Sequence, residues 1–270
     1  MKITGFVKNG RAYVGKVDAD GSVRTIADMD SFWAEPQTTA EGDDVVGNVK
    51  ELELLPATPR TGRVICVGLN YRKHAEETNM PIPTIPMIFG RWAHTLIPDG
   101  AASPCIEEKY DWECELGAVV GRRMFRVSEA QAVDGIYGYF AFNDLSARGY
   151  QMQTPQWTIG KNSDASGPMS AVVTADEADP IKGLRISTKV NGVVKQDSST
   201  SDMIFNVPQL LSHLSQVMTL EPGDVVVTGT PSGVGFATGE FLKPGDVVEV
   251  EIEGIGSVRT PIVDIPAPVF

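Results

Sequence analysis

Two glutamates one residue apart are the first side chains whose type and spacing indicate chemistry. Glu113 and Glu115 lie in the segment Trp112–Val120, whose apolar run predicts a buried strand. Alternate side chains of a strand share a face, so both carboxylates point to the same side. Two carboxylates on a buried face repel each other and lose hydration, and a hard cation such as Mg²⁺ or Mn²⁺ would offset both costs. Strand carboxylates also occur on solvated faces, so the spacing alone leaves both interpretations open.

Asp144 is the candidate third ligand of such a cation. It follows the apolar segment Gly138–Phe142, which predicts a strand, and loop residues at strand ends often form sites. It also precedes Leu145–Arg148, where an aspartate can cap the start of a helix. Its position alone does not choose between a ligand and a helix cap.

His74 and Glu77 form a candidate catalytic pair. The segment Tyr71–Thr78 predicts one or two helical turns, which would place the two side chains three residues apart on one face. A carboxylate beside an imidazole holds its tautomer and raises its basicity, as a water-activating base requires. A solvated helix face with ordinary charges is the alternative interpretation.

The segment Thr228–Gly235 is a glycine-rich loop after a predicted strand. It lacks the Gly-Lys-Ser/Thr ending of a phosphate-binding loop, and Pro231 removes an amide that such a loop would use. A loop that lines a substrate site remains the open alternative. Lys161, a lone lysine beside apolar residues, carries no signal by itself.

The N-terminal part of the chain predicts a small β module. Its strands, separated by asparagine-glycine and aspartate-glycine turn signals, are expected at Lys2–Val7, Ala12–Val17 and Ser22–Ile26. Pro56–Gly62 has the proline and glycine content of a linker. We therefore expect a small N-terminal domain, residues 1–60, followed by a larger domain, residues 61–270.

The remainder of the chain predicts more strands than helices. Strands are expected at Val64–Gly68, Trp112–Val120, Gly138–Phe142, Ala171–Thr174, Ile186–Val190, Val225–Thr228 and Val247–Ile252. One amphipathic helix is expected at Pro208–Met218, with Leu210, Leu211, Leu214, Val217 and Met218 on its apolar face. The sequence Pro-Gly-Asp-Val-Val occurs at residues 222–226 and 244–248, and each copy predicts a turn followed by a strand of one packed sheet system. Because no regular βαβ alternation occurs, we predict a strand-rich α+β fold.

Composition excludes several classes of partner. The chain has 35 acidic and 23 basic residues in 270, a formal charge of −12, which disfavours nucleic acid and anionic membrane surfaces. No apolar run is long enough to span a bilayer, and the first residues lack the apolar core of a secretory signal. Three scattered cysteines are too few for a disulfide framework, so we expect reduced thiols in a cytoplasmic protein.

Several short segments, in this order, together resemble the fumarylacetoacetate hydrolase superfamily over residues 60–265. They are Asn70-Tyr71-x-x-His74-x-x-Glu77, Trp112-Glu113-x-Glu115-Leu116, Asn143-Asp144-x-Ser146-Ala147-Arg148, Trp157-Thr158-x-x-Lys161, Val190-Asn191-Gly192 and Thr228-Gly229-Thr230-Pro231-x-Gly233-Val234-Gly235. The resemblance implies a C-terminal mixed β-sandwich roll, carrying the catalytic site within residues 61–270, and a homodimer.

The resemblance also implies roles for individual residues. It makes Glu113, Glu115 and Asp144 the ligands of Mg²⁺, with Mn²⁺ or Ca²⁺ as alternatives, and His74, Glu77 and Lys161 the catalytic residues. It makes Arg148, Gln151, Lys161 and Thr230 substrate contacts, and Arg91 is a further candidate source of positive charge near the substrate. The sequence departs from the family pattern in two places: Gly149 stands where an acid is common, and the loop Phe89–Thr95 carries an unusual Arg91, Trp92 and His94.

The resemblance implies metal-dependent hydrolysis of a C–C bond in a β-diketo acid, such as an acylpyruvate or a diketo-deoxy acid. The expected partner is therefore a small 2-oxo acid. Decarboxylation of oxaloacetate, and isomerisation or hydration of an oxo-dienoate, are the alternatives that use the same metal chemistry. A non-catalytic binding protein is the remote alternative.

Overall fold

The computed structural model describes residues 1–37, 42 and 44–267, and most of its regular structure is β-strand. The strands are β1 (Lys2–Lys8), β2 (Arg11–Val17), β3 (Ser22–Asp28), β4 (Val45–Asn48), β5 (Leu54–Leu55), β6 (Val64–Gly68), β7 (Met87–Arg91), β8 (Leu96–Pro98), β9 (Ser103–Pro104), β10 (Tyr110–Asp111), β11 (Cys114–Val120), β12 (Ile136–Asn143), β13 (Ser146–Ala147), β14 (Gly167–Met169), β15 (Val172–Thr174), β16 (Arg185–Val190), β17 (Val193–Ser199), β18 (Val225–Val227), β19 (Val247–Ile252) and β20 (Gly256–Val263).

The helices are short. They are α1 (Met29–Ala34), α2 (Arg72–Glu77), α3 (Glu129–Val133), α4 (Arg148–Gln151), α5 (Thr158–Lys161), α6 (Val207–Ser215) and α7 (Gly235–Thr238). Single 3₁₀ turns occur at Ala93–Thr95, Ala175–Glu177, Pro180–Lys182 and Thr200–Asp202. With many strands and no long helix in the described part of the chain, the predicted strand-rich α+β class is confirmed.

A large mixed sheet forms the main layer of the fold. Its strands run in the order β4-β3-β2-β1-β15-β12-β11-β18-β6-β7. Most neighbours are antiparallel, but β18 and β6 are parallel, with Val225 opposite Val64. The central strands β11 and β12 are buried along their full lengths, which explains their apolar sequences.

The N-terminal β module is joined to this sheet. Lys2 of β1 pairs with Val173 of β15, so the first three strands extend the sheet that contains the central strands. The division into domains 1–60 and 61–270 stays a prediction, and both segments reach beyond the described residues.

A second sheet of five strands packs on the first. Its order is β17-β16-β19-β20-β9. Val226 of the large sheet and Val250 of the smaller sheet belong to the same apolar core. Each Pro-Gly-Asp-Val-Val copy therefore ends in the first two residues of a strand, β18 or β19, and the two strands belong to different sheets that share one core. Gly223 and Gly245 have φ values of 86° and 96°, as the glycine of a type II turn requires.

The amphipathic helix occurs as α6 but is shorter at its C-terminal end than predicted. Leu210, Leu211 and Leu214 are buried in the shared core, as expected. Val217 was expected on the same face, but its exposed fraction is 78 %. The helix ends at Ser215, so the helical spacing no longer applies to Val217. A capping box of Asn206 and Gln209 marks the start of the helix.

No helix in the described residues is long and apolar enough to cross a membrane.

Replacing Leu211 with alanine should lower the free energy of unfolding by about 2–5 kcal/mol, because the change leaves a cavity in a packed core. Its side chain is buried, with an exposed fraction of 1 %. Val217→Ala, at the exposed end of the same segment, should change that free energy by less than about 0.5 kcal/mol. Urea denaturation followed by circular dichroism measures both. An equal loss of unfolding free energy in the two variants would contradict the end of α6 at Ser215.

Candidate active site

Three buried carboxylates meet at one end of the central strand pair. Cys114 pairs with Asn143 across β11 and β12, which brings the residues preceding β11 beside those following β12. The Asp144 amide donates to the Glu113 carbonyl at 2.9 Å, and the Glu113 amide donates to Asn143 Oδ1 at 3.1 Å. Glu115 lies two residues after Glu113, within β11, and alternate side chains of a strand share a face. Strand register therefore places the three carboxylates together.

The three side chains are closely grouped and nearly inaccessible. One carboxylate oxygen from each of Glu113, Glu115 and Asp144 lies within 4.8 Å of the others. Their exposed fractions are 7 %, 1 % and 0 %. This burial excludes a solvated face for the two glutamates. Helix α4 begins after Ala147, without a side-chain cap, so Asp144 does not cap it.

Cationic side chains balance part of this negative charge. Lys161 Nζ donates to Glu113 Oε2 at 2.8 Å and to Asp144 Oδ2 at 2.7 Å. Burial by itself lowers the pKa of Lys161, but the charges of Asp144 and Glu113 outweigh it and the net pKa is raised. The lysine therefore stays protonated beside the carboxylates.

The two glutamates differ in how well their charges are compensated. Burial favours the neutral form of Glu113, but Lys161 and Arg148 outweigh it and lower the pKa of Glu113 to about 2. Burial, together with the charges of Asp144 and Glu113, raises the pKa of Glu115 well above its ordinary value. Among the described residues, Glu115 has no ion-pair partner, and its carboxylate accepts a hydrogen bond from the Gly229 amide at 2.8 Å. Negative charge at Glu115 thus needs a further cation.

The donor set fits a hard divalent cation. All three candidate ligands offer carboxylate oxygens and no nitrogen or sulfur, the chemistry that Mg²⁺, Mn²⁺ and Ca²⁺ prefer. The uncompensated carboxylate of Glu115 supplies the reason for such an ion at this place.

Arg91 lies behind the carboxylates. Its guanidinium donates to Asp144 Oδ1 through Nε at 3.0 Å and to Ser166 and Thr95 through another nitrogen. Its side chain has an exposed fraction of 0 % and is not among the residues that line the cavity beside the site. Arg91 therefore contacts Asp144 and does not line the cavity, and the substrate contact suggested for it stays a prediction.

Arg148 is held in front of the carboxylates by a residue that sequence reasoning missed. Arg148 contacts Asp111 Oδ2 through Nε at 2.8 Å, and its NH2 group lies 2.7 Å from Glu113 Oε1. Asp111 is fully buried, and it accepts hydrogen bonds from the amides of Gly235 and Phe236. A second missed residue is Gln196, whose amide donates to Thr230 Oγ1 at 2.8 Å. Asp111 and Gln196 contact residues far away in sequence, so the spacing of neighbouring residues could not predict their roles.

His74 and Glu77 are in contact, as the helical spacing predicts. His74 Nδ1 lies 2.9 Å from Glu77 Oε2, and the side chains have exposed fractions of 13 % and 23 %. Glu77 Oε1 also accepts a hydrogen bond from the Gly233 amide at 2.9 Å. The pair is therefore partly buried and bridges helix α2 to the glycine-rich loop.

A cavity of about 300 Å³ opens in front of these groups. Its polar lining includes the predicted residues His74, Glu113, Arg148, Gln151, Lys161 and Thr230. Gly229, in the glycine-rich loop, has a φ of 87°, and a Cβ there would lie 2.7 Å from the Val67 carbonyl. The loop lines the cavity, which is the alternative left open by its sequence.

The structure explains one departure from the family pattern. Gly149 donates its amide to Glu107 Oε1 at 2.8 Å, and a Cβ on Gly149 would lie 2.2 Å from Glu107 Oε2. A carboxylate from another part of the chain thus occupies the space beside residue 149.

Comparison with known proteins agrees with this arrangement. The model of the family "Fumarylacetoacetate (FAA) hydrolase C-terminal" matches residues 63–263. The chain belongs to the fumarylacetoacetate hydrolase family. This membership confirms the resemblance seen in the sequence and makes an enzymatic function the expectation for the site.

Three fumarylacetoacetate hydrolase relatives show the range of the family. A 2,4-didehydro-3-deoxy-L-rhamnonate hydrolase from a Sphingomonas species is 38 % identical, covering 96 % of this chain and 95 % of its own. A fumarylpyruvate hydrolase from Pseudomonas aeruginosa, crystallised with Mn²⁺ and pyruvate, is 30 % identical with a TM-score of 0.70, covering 79 % of this chain and 92 % of its own. A 5-carboxymethyl-2-hydroxymuconate delta-isomerase from Mycobacterium smegmatis is 30 % identical with a TM-score of 0.80, covering 98 % and 100 %.

Asp111→Asn should lower the free energy of unfolding of the metal-free protein by about 3 kcal/mol. The reason is that the buried Arg148 guanidinium loses the carboxylate of Asp111 as an ion-pair partner. The matched control is Asp197→Asn, in an ion pair with Arg185 whose side chains have exposed fractions of 50 % and 58 %. Solvent screens that pair, so the control should leave stability unchanged within error. Guanidinium chloride denaturation measures both variants. Equal stability of Asp111→Asn and the parent protein would contradict the function given to the Asp111–Arg148 contact.

Proposed function

We propose that this protein is a divalent-metal-dependent hydrolase that cleaves a C–C bond in a β-diketo acid. The observation that carries the proposal is a group of three buried carboxylates next to a cavity. One of them, Glu113, lines that cavity together with two cationic side chains and the histidine of the histidine–carboxylate pair. The similarity to two hydrolases of keto acids supports the same reaction class.

Glu113, Glu115 and Asp144 would hold the cation, with Mg²⁺ or Mn²⁺ as the proposed ion. When bound, the ion supplies a Lewis acid for the oxygen atoms of the 2-oxo acid and for negative charge that develops during cleavage. Backbone hydrogen bonds fix Glu113 and Asp144 beside the ends of β11 and β12, so these two ligands are already in position.

Lys161 and Arg148 would bind the acid end of the substrate. An ammonium group has three donors, and Lys161 uses two of them on Glu113 and Asp144. One donor is thus left for a substrate oxygen. Arg148 uses four of its five N–H groups on Asp111, Glu113 and Gln151, and presents the remaining one from the neighbouring wall of the cavity.

His74 would activate the water. A proton on Nδ1, donated to Glu77, leaves the Nε2 lone pair to take a proton from water. The resulting hydroxide oxygen bonds to the distal carbonyl carbon, and the adjacent C–C bond breaks. The electron pair of that bond leaves with the pyruvate half, which takes up at carbon the proton that His74 removed from water. The products are one carboxylic acid and pyruvate, so atoms and charge balance.

Isomerisation of an unsaturated 2-oxo acid is the second candidate function. It is favoured by the similarity to the Mycobacterium smegmatis isomerase, which extends over 98 % of this chain. Proton transfer by His74 would suffice for it, and no water would add to the substrate.

The proposal includes a homodimer that acts in the cytoplasm on a small 2-oxo acid. The described residues hold three cysteines, all free and buried, in keeping with a reducing compartment. Strand β7 ends the large sheet and carries exposed Ile88, which is not part of the cavity lining and could be covered by a second copy.

Glu115→Gln should abolish both turnover and the rise in melting temperature on adding Mg²⁺ or Mn²⁺, because the site loses a charged ligand. His74→Ala should keep the metal-dependent rise in melting temperature and lower kcat by about 10²–10⁴-fold, because only the base is lost. Glu251→Gln, an exposed glutamate of β19, is the control and should change neither.

Differential scanning fluorimetry and a coupled assay for pyruvate measure these effects. Full hydrolytic activity in a metal-free preparation would refute the proposed reaction. Conversion of an oxo-dienoate without release of pyruvate from any diketo acid would favour the isomerase instead.

Light scattering coupled to gel filtration should give a mass of twice 29.1 kDa. Ile88→Lys, at the exposed edge of the sheet, should shift that mass toward the monomer. The new lysines of the two copies would face each other across the proposed interface and repel. A monomer for the parent protein would refute the proposed dimer.

A further inference from the structure

The cavity in front of the carboxylates has two chemically different parts. Its charged lining consists of Glu113, Arg148 and Lys161, with His74 at the side. Most of the remaining wall is apolar and comes from several separate segments. It is formed by Val67, Leu69, Met80, Met87, Phe89, Met152, Trp157, Val234 and Phe236. A ligand in the cavity therefore meets charge at one end and apolar surface beyond it.

The apolar wall begins directly beside the cations. Lys161 Nζ lies 5.6 Å from the centroid of the Phe89 ring, and the Phe89 and Trp157 rings are edge to face at 5.5 Å. Trp157 packs so closely on Gly68 that a Cβ there would lie 2.4 Å from its indole ring. The Arg148 guanidinium is likewise 5.7 Å from the centroid of the Phe236 ring. The part of a substrate next to its carboxylate-binding end would therefore contact these aromatic rings.

Few groups on this wall can recognise a second polar function. Among the described residues that line the cavity, the cationic side chains are Arg148 and Lys161, besides the titratable His74. The Thr78 hydroxyl donates to the His74 carbonyl at 2.8 Å. The Thr230 hydroxyl accepts from Gln196 and Gln151 Oε1 accepts from Arg148, so the donors that these two side chains still offer are neutral. Both cations already contact Glu113. A second carboxylate at the far end of a substrate would lose hydration without gaining a counter-charge.

We propose that the substrate's distal half is an uncharged, apolar acyl group, aliphatic or aromatic. This inference rests on the proposed hydrolysis of a β-diketo acid and specifies its substrate class. It excludes dicarboxylic diketo acids and polyhydroxylated diketo-deoxy acids as preferred substrates. Met80, Met87 and Met152 lie at the cavity mouth with exposed fractions of 50 %, 39 % and 62 %. Their unbranched side chains can adapt to acyl groups of different shape.

The decisive measurement is kcat/KM, with Mg²⁺ present, for a series of diketo acids. Acetylpyruvate, butanoylpyruvate and hexanoylpyruvate differ only in chain length, and kcat/KM should rise about fourfold per methylene until the wall is covered. Benzoylpyruvate should be accepted as well. Succinylpyruvate and a diketo-deoxy hexonate should be turned over roughly 10-fold less efficiently, or worse, than hexanoylpyruvate.

Failure of this inference is distinguishable from failure of the proposed function. If no diketo acid of the series yields pyruvate, the hydrolase proposal itself is refuted. If pyruvate is released and succinylpyruvate or the hexonate is preferred, the reaction class stands and the inferred apolar acyl group is refuted.

Met152→Arg tests the wall directly, since its exposed position can carry a charge without unfolding the protein. The variant should raise the ratio of kcat/KM for succinylpyruvate to that for hexanoylpyruvate by roughly 10-fold, because it adds the missing counter-charge. Val217→Arg, with the same charge change at a residue of 78 % exposure away from the cavity, should leave the ratio unchanged. Melting temperatures verify that both variants are folded. An unchanged ratio in a folded Met152→Arg protein would place the distal group elsewhere and overturn the inference.

Discussion

The structure depends on an imbalance of charge inside the protein. Four buried carboxyl groups share a small volume with three buried cationic side chains, so with every group ionised one negative charge would have no counterpart in a region of low dielectric constant. The carboxylates are those of Asp111, Glu113, Glu115 and Asp144, and the cations are those of Arg91, Arg148 and Lys161. Such a cluster is costly unless a counter-charge arrives from outside. Under the proposed function, a divalent cation would reverse the sign of this charge and leave a single positive charge for one substrate carboxylate.

The surrounding fold keeps these charges at fixed positions. Buried strands β11 and β12 hold Glu113, Glu115 and Asp144 through backbone pairing, whereas Asp111 joins Arg148 to the start of helix α7. Glu77 ties His74 to the glycine-rich loop in a similar way. Each of these acidic side chains therefore has a hydrogen-bond or ion-pair partner in another strand, helix or loop. These contacts limit how far the side chains can move apart when water enters the cavity.

Much of the fold and of the candidate site could be predicted from local patterns. The alternation of Glu113 and Glu115 on one strand, the spacing of His74 and Glu77, and the apolar face of α6 each depend on residues within a few positions of one another. Asp111 and Gln196 could not be found in this way, because their partners lie more than thirty positions away in sequence. The orientation of Arg91 toward Asp144 likewise depends on how β7 is placed relative to β12, and the exposure of Val217 on where α6 stops.

The pairing of β1 with β15 has a consequence for how this chain can be divided. The family match begins at residue 63, yet the sheet that carries the site continues through residues of the N-terminal β module. A chain shortened to the matched segment would leave the N–H and C=O groups of β15 unpaired on the side that now faces Ile3. It would also uncover apolar neighbours such as Phe140, which shares a core with Ile3 and Val14. The family match thus marks where the sequence similarity begins and ends, while the packed core also includes residues before position 63.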